Sequence, residues 1–385
     1  MKFFKNPMPV GVLAFALFSC GGNSEKVNEP FNFAFEITDS VQVDFLGEMM
    51  LMGYDGKENN YLLATDEFDE YLEVNESGEI VTHKKLTPDG IDAVASVLGF
   101  GYLEGDVTVL SETGKYMQFR DAEKVGEITV PYDFQPYTFY PKLGVFNYDG
   151  KTYYPKPLPS SSNLSPGGGE FYQALYRSPI IEGQNLATED TINTVKLPET
   201  SALLDGQMHG MLFPIYTQTG DLLLLSDWIE PKIYVYKNGG NGFDYEKTVE
   251  IAIPDWVSYL PSSSEDPGQF YQQNSNQKSG NLVEILVSDD YYIAVYTKGI
   301  PEGKAPEQTS DGNAFRLAVQ KINPYFAAIF DKEFNQLASN IPFPASSNRP
   351  MVVNKDGEFV VSKIAGLSET EDDGLVMYKL RLNDN

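Results

Sequence analysis

Short apolar runs separated by polar turns recur along most of this chain. Residues 71–74 (YLEV), for example, lead through the turn 75–78 (NESG) into residues 79–82 (EIVT). Alternating or apolar segments of this length, joined by turns that contain Asn and Gly, are typical of β-hairpins. The pattern therefore predicts a chain built mainly from antiparallel strands.

The same order of aromatic strand, polar turn and second strand returns at residues 115–131, 233–254 and 327–342. Each of these segments closes on a proline. Proline suits the end of an outer strand, because it has no N–H to donate to an inner ladder of hydrogen bonds. Apolar runs at 107–110 and 222–225 come before two of the segments and have the character of strands that are buried on both faces.

Counted in this way, the chain holds six units of about four strands, which predicts an all-β fold with a single six-bladed β-propeller. Segment 31–37 (FNFAFEI) is expected to add the outer strand of the last blade and so close the ring. Segment 89–98 has helical spacing and is expected to connect two blades. The alternative fold is a stacked pair of β-sandwiches, which gives no reason for the recurrent prolines. The six predicted units are 41–87, 95–131, 138–200, 208–255, 281–343 and 348–383.

The first twenty residues follow a different pattern. Lys2 and Lys5 precede the apolar run 10–18 (VGVLAFALF), which has the length of a signal-peptide core and is too short to span a membrane. Residues 17–20 (LFSC) resemble the lipobox of bacterial lipoproteins, in which the cysteine, here Cys20, is lipidated. An ordinary secretory signal is the alternative. The expected segments are a signal peptide at 1–19, a lipidated cysteine and flexible tether at 20–30, and the propeller at 31–385.

Composition narrows the classes of partner that the protein can bind. The chain has 28 Lys and Arg against 55 Asp and Glu, and loss of the first 19 residues with their two lysines changes the formal net charge from −27 to −29. Such a charge repels nucleic acid and anionic lipid, so acyl chains on Cys20 and not a basic patch are expected to hold the protein at its membrane. Cys20 is the only cysteine, and its lipidation leaves no disulfide.

Two segments of the chain resemble each other. Residues 159–173 and 261–272 share the order Pro-Ser-Ser-Ser, a Pro-Gly turn and Phe-Tyr-Gln. As loops over a propeller channel, they would offer hydroxyl groups and aromatic faces to a glycan, a peptide or another small polar ligand. The other interpretation is that the Phe-Tyr pairs pack between blades. With His209, which opens a predicted blade, the candidate ligand-binding residues are Ser161, Phe171, Tyr172, Gln173, His209, Ser263, Phe270, Tyr271 and Gln272.

Catalytic and metal-binding signals are sparse. His83 and His209 are the only histidines, too few for a His-rich transition-metal site. Neither H-E-x-x-H nor G-x-S-x-G occurs. The acidic runs 66–70 and 369–373 carry oxygen ligands of the kind that Ca²⁺ prefers, but they lack EF-hand spacing and are otherwise expected to be solvated surface. We therefore expect no resident cofactor or metal. The alternative is Ca²⁺ bound at one of these acidic runs.

The lipobox, the acidic balance and the repeated four-stranded units together resemble the cell-envelope lipoproteins of Bacteroidetes. These include several families of domains of unknown function that look like six-bladed propellers. The resemblance implies an envelope location at the outer membrane, facing the periplasm or the exterior, and implies no reaction. We expect a lipid-anchored binding or scaffold protein for a glycan, peptide or protein partner. The alternatives are a carbohydrate-active enzyme with carboxylates in the channel and a structural subunit of an envelope complex.

Overall fold

The computed structural model describes residues 32–90, 92–94, 96–131, 142–156, 168–275, 277–368 and 373–384. None of the helices in this part of the chain has the length and apolar character needed to cross a membrane. The strands in chain order are β1 (Phe33–Val43), β2 (Met50–Asp55), β3 (Asn60–Ala64), β4 (Glu70–Asn75), β5 (Ile80–Lys85), β6 (Val97–Leu103), β7 (Asp106–Ser111), β8 (Lys115–Arg120), β9 (Glu123–Thr129), β10 (Phe146–Tyr148), β11 (Lys151–Pro155), β12 (Pro179–Gln184), β13 (Thr191–Lys196), β14 (Gln207–Met208), β15 (Pro214–Thr219), β16 (Leu222–Asp227), β17 (Lys232–Asn238), β18 (Phe243–Glu250), β19 (Ser262–Ser263), β20 (Lys278–Val287), β21 (Tyr292–Ile300), β22 (Phe326–Phe330), β23 (Gln336–Pro342), β24 (Val352–Val353), β25 (Phe359–Ser362) and β26 (Leu375–Asp384). The helices are α1 (Gly169–Arg177), α2 (Pro267–Asn274) and α3 (Gly312–Ile322).

Six four-stranded antiparallel sheets form the blades of a six-bladed β-propeller. Contacts between the first strands of different blades, such as β2 with β6 and β20 with β24, place these strands around a central channel. The all-β, six-bladed prediction is confirmed, and each predicted unit overlaps one blade with boundaries that differ by up to nine residues. The start of the first unit is wrong, because residues 41–43 belong to β1 in blade 6. Blades 1 to 5 are β2–β5, β6–β9, β10–β13, β15–β18 and β20–β23.

Blade 6 joins the two ends of the chain. Its first three strands are β24, β25 and β26, and the N-terminal β1 pairs antiparallel with β26 as the fourth strand. In this pairing Val41 lies opposite Met377, and Phe33 lies opposite Asp384. The predicted closing strand is therefore confirmed for the described residues, and it continues to Val43. Closure pairs the edge of β26 that would otherwise be open to another chain.

The connections between strands alternate between two faces of the ring, because neighbouring strands are antiparallel. The hairpin face carries the short turns between the first and second and between the third and fourth strands of each blade. The loop face carries the connections between the second and third strands and those between blades, which include α1, α2 and α3. In blade 6 the chain ends take the place of the last hairpin turn. Both Phe33 and Asp384 therefore lie at the hairpin face.

The core is divided into six apolar clusters, one between each pair of neighbouring blades. Strand β16 shows how the sequence produces this division. Leu223 and Leu225 pack toward blade 3, and Leu224, which points to the opposite face of the strand, packs toward blade 5. Because successive side chains of a strand alternate between faces, a strand between two clusters must be apolar at every position. This explains the apolar runs at 107–110 and 222–225.

Two expectations about local structure are wrong. The Phe-Tyr-Gln segments lie on helices α1 and α2 rather than in open loops. In α2 the Asp266 side chain accepts a hydrogen bond from the Gln269 amide, and Pro267 occupies the first turn, both of which favour helix initiation. Conversely, the described residues of 89–98 form no helix, and Val97 already begins β6. Pairing of β6 with β7 outweighs the weak helical spacing there.

A substitution that places a hydroxyl group in the buried part of β1 tests the ring closure. Val41 is 2% exposed, and Thr has nearly the same shape with a hydroxyl in place of one methyl group. We expect Val41→Thr to lower the free energy of unfolding, measured by urea denaturation, by about 1–3 kcal/mol. Ile37→Thr, on the same strand but 51% exposed, is the matched control and should change it by less than about 0.5 kcal/mol. Equal losses at the two positions would contradict the closure.

Candidate functional site

The central channel contains a cavity of about 620 Å³. Its wall comes from the first strands of blades 1, 2, 3, 4 and 6 and from residues next to them. A volume of this size is typical of sites for small ligands, which combine apolar and aromatic walls with a few polar groups. The lining residues that carry polar or aromatic chemistry include Tyr54, Tyr102, Glu104, Lys142, Tyr216 and Arg349.

The exposed part of the cavity's described lining lies at the hairpin face. Among its described lining residues, Glu104 and Asn147 are exposed, while the others are half-buried or buried. Glu104 lies in the hairpin turn between β6 and β7, and Asn147 lies on β10 beside its hairpin turn. Two hydrogen bonds between the Asn147 backbone and the Gln218 side chain join blades 3 and 4 at this rim. The Asn147 amide donates to Gln218 Oε1 at 2.9 Å, and Gln218 Nε2 donates to the Asn147 carbonyl.

Three charged side chains meet across the channel. Glu284 of β20 has a side chain with 0% exposure, and its Oε2 accepts hydrogen bonds from Lys142 Nζ at 2.6 Å and Arg349 Nη2 at 3.2 Å. Its other oxygen accepts from the Ile285 amide at 3.1 Å. Lys142 precedes the first strand of blade 3, and Arg349 precedes that of blade 6. Because a buried carboxylate is costly unless it is paired, this cluster ties three blades to one geometry.

The tyrosines of the wall are held by hydrogen bonds behind it. The Tyr216 hydroxyl donates to the Gly144 carbonyl, and burial raises the pKa of Tyr216. Gly144 has a φ of +69°, and a Cβ there would lie 3.1 Å from that hydroxyl, so this position favours glycine. The Tyr54 hydroxyl donates to the Asn59 side chain at 3.1 Å, and burial raises the pKa of Tyr54 to about 12. The rings are therefore fixed with their hydroxyls protonated.

A carboxyl group lies behind the wall at Glu73. The Tyr102 hydroxyl donates to Glu73 Oε1 at 3.1 Å. Burial raises the pKa of Glu73, and hydrogen bonds from Thr82 and Tyr102 oppose this effect. A carboxyl group whose protonated form is favoured by burial has the property that a general acid requires.

A second buried carboxyl group lies at the end of β16. Asp227 is 3% exposed, and its Oδ1 accepts a hydrogen bond from the Ile229 amide at 3.3 Å. Burial raises the pKa of Asp227 well above its ordinary value, and the nearby charge of Glu230 acts in the same direction. The ionised form of Asp227 is therefore disfavoured in the folded protein.

The two repeated segments come together on the loop face. The hydroxyls of Tyr172 on α1 and Tyr271 on α2 lie 2.6 Å apart. Phe171, Tyr172 and Phe270 are buried in the cluster between blades 3 and 4. Tyr271 is 53% exposed. Burial of the other three rings favours the packing interpretation for them, and it leaves Tyr271 as the aromatic side chain of this set that a ligand could reach.

The polar members of the repeats lie around the same helices. Gln173 donates to the Gln207 carbonyl at 2.9 Å. Ser263 is exposed and pairs with Gln207 between β14 and β19. Gln272 is exposed on α2. The Gln173 contact therefore joins α1 to β14, which pairs with β19 in a small sheet of two short strands.

His209 also belongs to this region. Its amide donates to the Tyr176 hydroxyl at 2.8 Å, and its ring Nε2 lies 2.9 Å from Asp205 Oδ1. Ser161 and Cys20 lie outside the described residues. None of the described candidates from the sequence lines the channel cavity.

The acidic run 66–70 already has partners within the fold. Asp69 accepts a hydrogen bond from Thr65 at 2.7 Å, and Glu70 contacts His83 and Lys85. In the part of the chain that the structure describes, no three His, Cys, Asp or Glu side chains are grouped to hold a metal ion. Of the second run, 369–373, only Asp373 is described, so Ca²⁺ binding stays a prediction.

Sequence reasoning missed the charged cluster of the channel. Lys142, Glu284 and Arg349 are far apart in the chain, and no spacing rule connects them. One signal was present, because Glu284 interrupts the otherwise apolar run 282–286 (LVEIL). A single acidic residue in a strand that is buried on both faces requires a partner.

Comparison with known proteins supports the fold. No family model matches the sequence, and no curated protein matches it either. Among solved structures, a DUF4221 family member from Bacteroides vulgatus is similar, with 12% identity, a TM-score of 0.63, and 93% of this chain and 100% of that one covered. A candidate exported protein from Bacteroides fragilis is also similar, with 11% identity, a TM-score of 0.51, and coverage of 92% and 95%. At these identities the likeness concerns the fold alone.

Removing the charge of Glu284 tests the channel cluster. Glu284→Gln leaves Lys142 and Arg349 without their shared carboxylate, and loss of one partner of a buried ion pair costs about 3–5 kcal/mol. We expect urea denaturation to show a loss of this size. Glu48→Gln is the control, since Glu48 contacts Arg316 at 3.3 Å with both side chains exposed, and such pairs contribute little. A Glu284 variant as stable as the control would contradict the role of the cluster.

The raised pKa of Asp227 predicts a pH dependence of stability. Between its unfolded pKa of about 3.9 and the higher folded value, the folded state binds more protons, so stability falls as the pH rises through this window. Asp227→Asn removes that loss. The free energy of unfolding of the variant minus that of the parent, measured by urea denaturation, should be larger at about pH 8 than at about pH 5. A difference that does not change with pH would show that Asp227 ionises normally.

Proposed function

We propose that this protein is a lipid-anchored binding propeller of a bacterial cell envelope and that its ligand occupies the channel cavity. The observation that carries the proposal is the cavity itself, a space of about 620 Å³ with an aromatic and charged wall and an exposed rim. Space in a protein interior is normally filled by closely packed side chains. An open cavity at the meeting point of five blades is therefore the best place for a ligand.

The lining favours a glycan or a peptide. Tyr54 and Tyr102 offer aromatic surface for the apolar face of a sugar ring or for a peptide side chain. Glu104 and Asn147 at the rim, and Lys142 deeper in the channel, can hydrogen-bond to hydroxyl, amide or carboxylate groups. This combination of apolar walls and few polar groups is what fixes the orientation of a small ligand.

The envelope location rests on the N-terminal sequence. Lys2, Lys5, the apolar run 10–18 and the lipobox-like residues 17–20 support export and lipidation at Cys20. The periplasm and the cell exterior are both compatible with these features. Two or three acyl chains on one cysteine suffice for stable anchoring, whereas a single chain binds only marginally.

A carbohydrate-active enzyme is the second candidate. The observation that favours it is the contact between the cavity wall and Glu73, which accepts a hydrogen bond from Tyr102 at 3.1 Å and whose pKa burial raises, as a general acid requires. A glycosidase of the common type needs a second carboxylate beside the scissile bond. Glu104 is the acidic residue among the described lining residues and is the candidate for this second carboxylate. Glu284 already forms ion pairs with Lys142 and Arg349. Glu73→Gln should abolish turnover of a glycan if the protein is such an enzyme, and should leave binding intact if it is not.

Thermal-shift measurements on a panel of glycans and peptides test the proposed site. A ligand that binds only the folded state raises the melting temperature by mass action. Asn147→Ala removes a side chain at the rim and Tyr102→Ala removes an aromatic ring of the wall, and both should reduce the shift in melting temperature caused by a ligand of the cavity. Tyr271→Ala on the loop face is the control and should leave this shift unchanged. A shift that is reduced by Tyr271→Ala alone would instead indicate a ligand site at the repeated segments.

A further inference from the structure

One cation of the channel cluster is accessible from the cavity. Lys142 lines the cavity with a side chain that is 36% exposed, whereas the Glu284 side chain that it contacts at 2.6 Å is 0% exposed. An ammonium group has three N–H donors, and a single ion pair does not use all of them. Lys142 can therefore hold Glu284 and still offer N–H groups to a molecule in the cavity.

Glu284 compensates the charge of Lys142 only in part, because a second cation shares its carboxylate. Arg349 Nη2 lies 3.2 Å from Glu284 Oε2, the same oxygen that Lys142 contacts. One negative charge that is divided between two positive charges leaves part of the charge of Lys142 uncompensated. In the part of the chain that the structure describes, the cavity lining adds one carboxylate, that of Glu104. Glu104 is exposed, so water and salt screen its charge.

The charged groups lie at different depths in the channel. Lys142 precedes β10 on the side of the loop face, and Asn147 lies on β10 beside the hairpin turn. Asn147 follows Lys142 by five residues, which span at most about 18 Å. Glu104 also lies in a hairpin turn. Lys142 is therefore at the inner end of the cavity, and Glu104 and Asn147 are at its exposed rim.

We propose that the channel cavity binds its ligand through a carboxylate group, which pairs with Lys142 at the inner end of the cavity. The inference rests on the proposed binding function and names the chemical class of the ligand. A carboxylate matches one partly compensated ammonium group in charge, and charge-assisted hydrogen bonds between such groups are short and strong. A doubly charged phosphate exceeds that charge and would lie close to the carboxylate of Glu284.

The two ends of the cavity also set the direction of the ligand. Glu104 repels a carboxylate at the rim, and Lys142 attracts it at the inner end. The uncharged part of the ligand then lies against Tyr102 and Asn147, which line the cavity between these ends or at the rim. A uronic acid and the C-terminus of a peptide both present a carboxylate of this kind.

The overall charge of the protein opposes an anionic ligand only at long range. The formal net charge of −27 repels a carboxylate that approaches from solution. Such repulsion acts mainly on the rate of association, and it is screened over a Debye length of about 8 Å at physiological ionic strength. Contact with Lys142 is a short-range interaction inside the channel, so it acts on the affinity of the bound state.

Matched probes that differ in one carboxylate test the inference. The pairs are benzoate and benzamide, methyl glucuronide and methyl glucoside, and N-acetyl-trialanine and its C-terminal amide. Dissociation constants are measured by isothermal titration calorimetry on the full-length chain. We expect the carboxylate of at least one pair to bind about tenfold more tightly than its neutral partner, as a hydrogen bond to a charged group predicts. The sugar pair and the peptide pair distinguish the two sources of the carboxylate.

Variants of Lys142 assign this preference to one side chain. Lys142→Met should remove the preference, and Lys142→Arg should retain it, because arginine keeps the positive charge. Lys151→Met is the matched control, since Lys151 pairs with Asp190 at 2.9 Å and does not line the cavity. It should leave the preference unchanged. The comparison within each probe pair on the parent chain requires no variant and holds even if Lys142→Met unfolds the protein.

Equal affinities within all three pairs, or no binding of any carboxylate probe to the parent chain, would overturn the inference. Tyr102→Ala tests the proposed function separately. A neutral glycan or peptide whose binding is weakened by Tyr102→Ala, without a carboxylate preference in any pair, would overturn the carboxylate site and leave the binding cavity in place. A carboxylate preference that neither Lys142→Met nor Tyr102→Ala changes would overturn both.

Discussion

The pairing of β1 with β26 is the interaction on which the rest of this structure depends. Every blade packs against two neighbours through an apolar cluster, and the contact between blades 6 and 1 includes Val41 of β1. Without β1, that cluster would lose part of its wall and β26 would present an unpaired edge. A ring held by one terminal strand also brings both described chain ends to the hairpin face. Closure therefore pairs the last edge of blade 6 and places both ends of the described chain on one face of the ring.

Inside the ring, the charged cluster gives the channel its geometry. Apolar clusters between blades are tolerant of small shifts, because hydrophobic packing has no preferred direction. Hydrogen bonds from Lys142 and Arg349 to Glu284 are directional, and the one from Lys142 joins blades 3 and 5, which are not neighbours in the ring. A buried ion pair is weak evidence for added stability. Its clearer consequence here is that the cavity wall from blades 3 and 6 is held at a fixed distance from blade 5.

The repeated Pro-Ser-Ser-Ser and Phe-Tyr-Gln segments show how a repeat can mislead. Sequence similarity predicted two equivalent loops over the channel, and the structure brings the two segments together as helices that meet through Tyr172 and Tyr271. Most of their aromatic side chains are buried in the core between blades 3 and 4. Large aromatic side chains bury much apolar area, so packing competes with ligand binding for the same residues.

The sequence by itself determined the all-β class, the six units and the closing strand, because the period of apolar residues and the turn chemistry are local properties of the chain. It also supplied the N-terminal segment on which the proposed anchor rests. Only the tertiary structure decided which carboxyl groups are buried, as at Glu284 and Asp227, and which residues share the channel. Those depend on contacts between blades that are distant in the chain, and no periodicity records them. The placement of the exposed lining residues Glu104 and Asn147 on one face of the ring likewise follows from how the antiparallel strands are ordered in space.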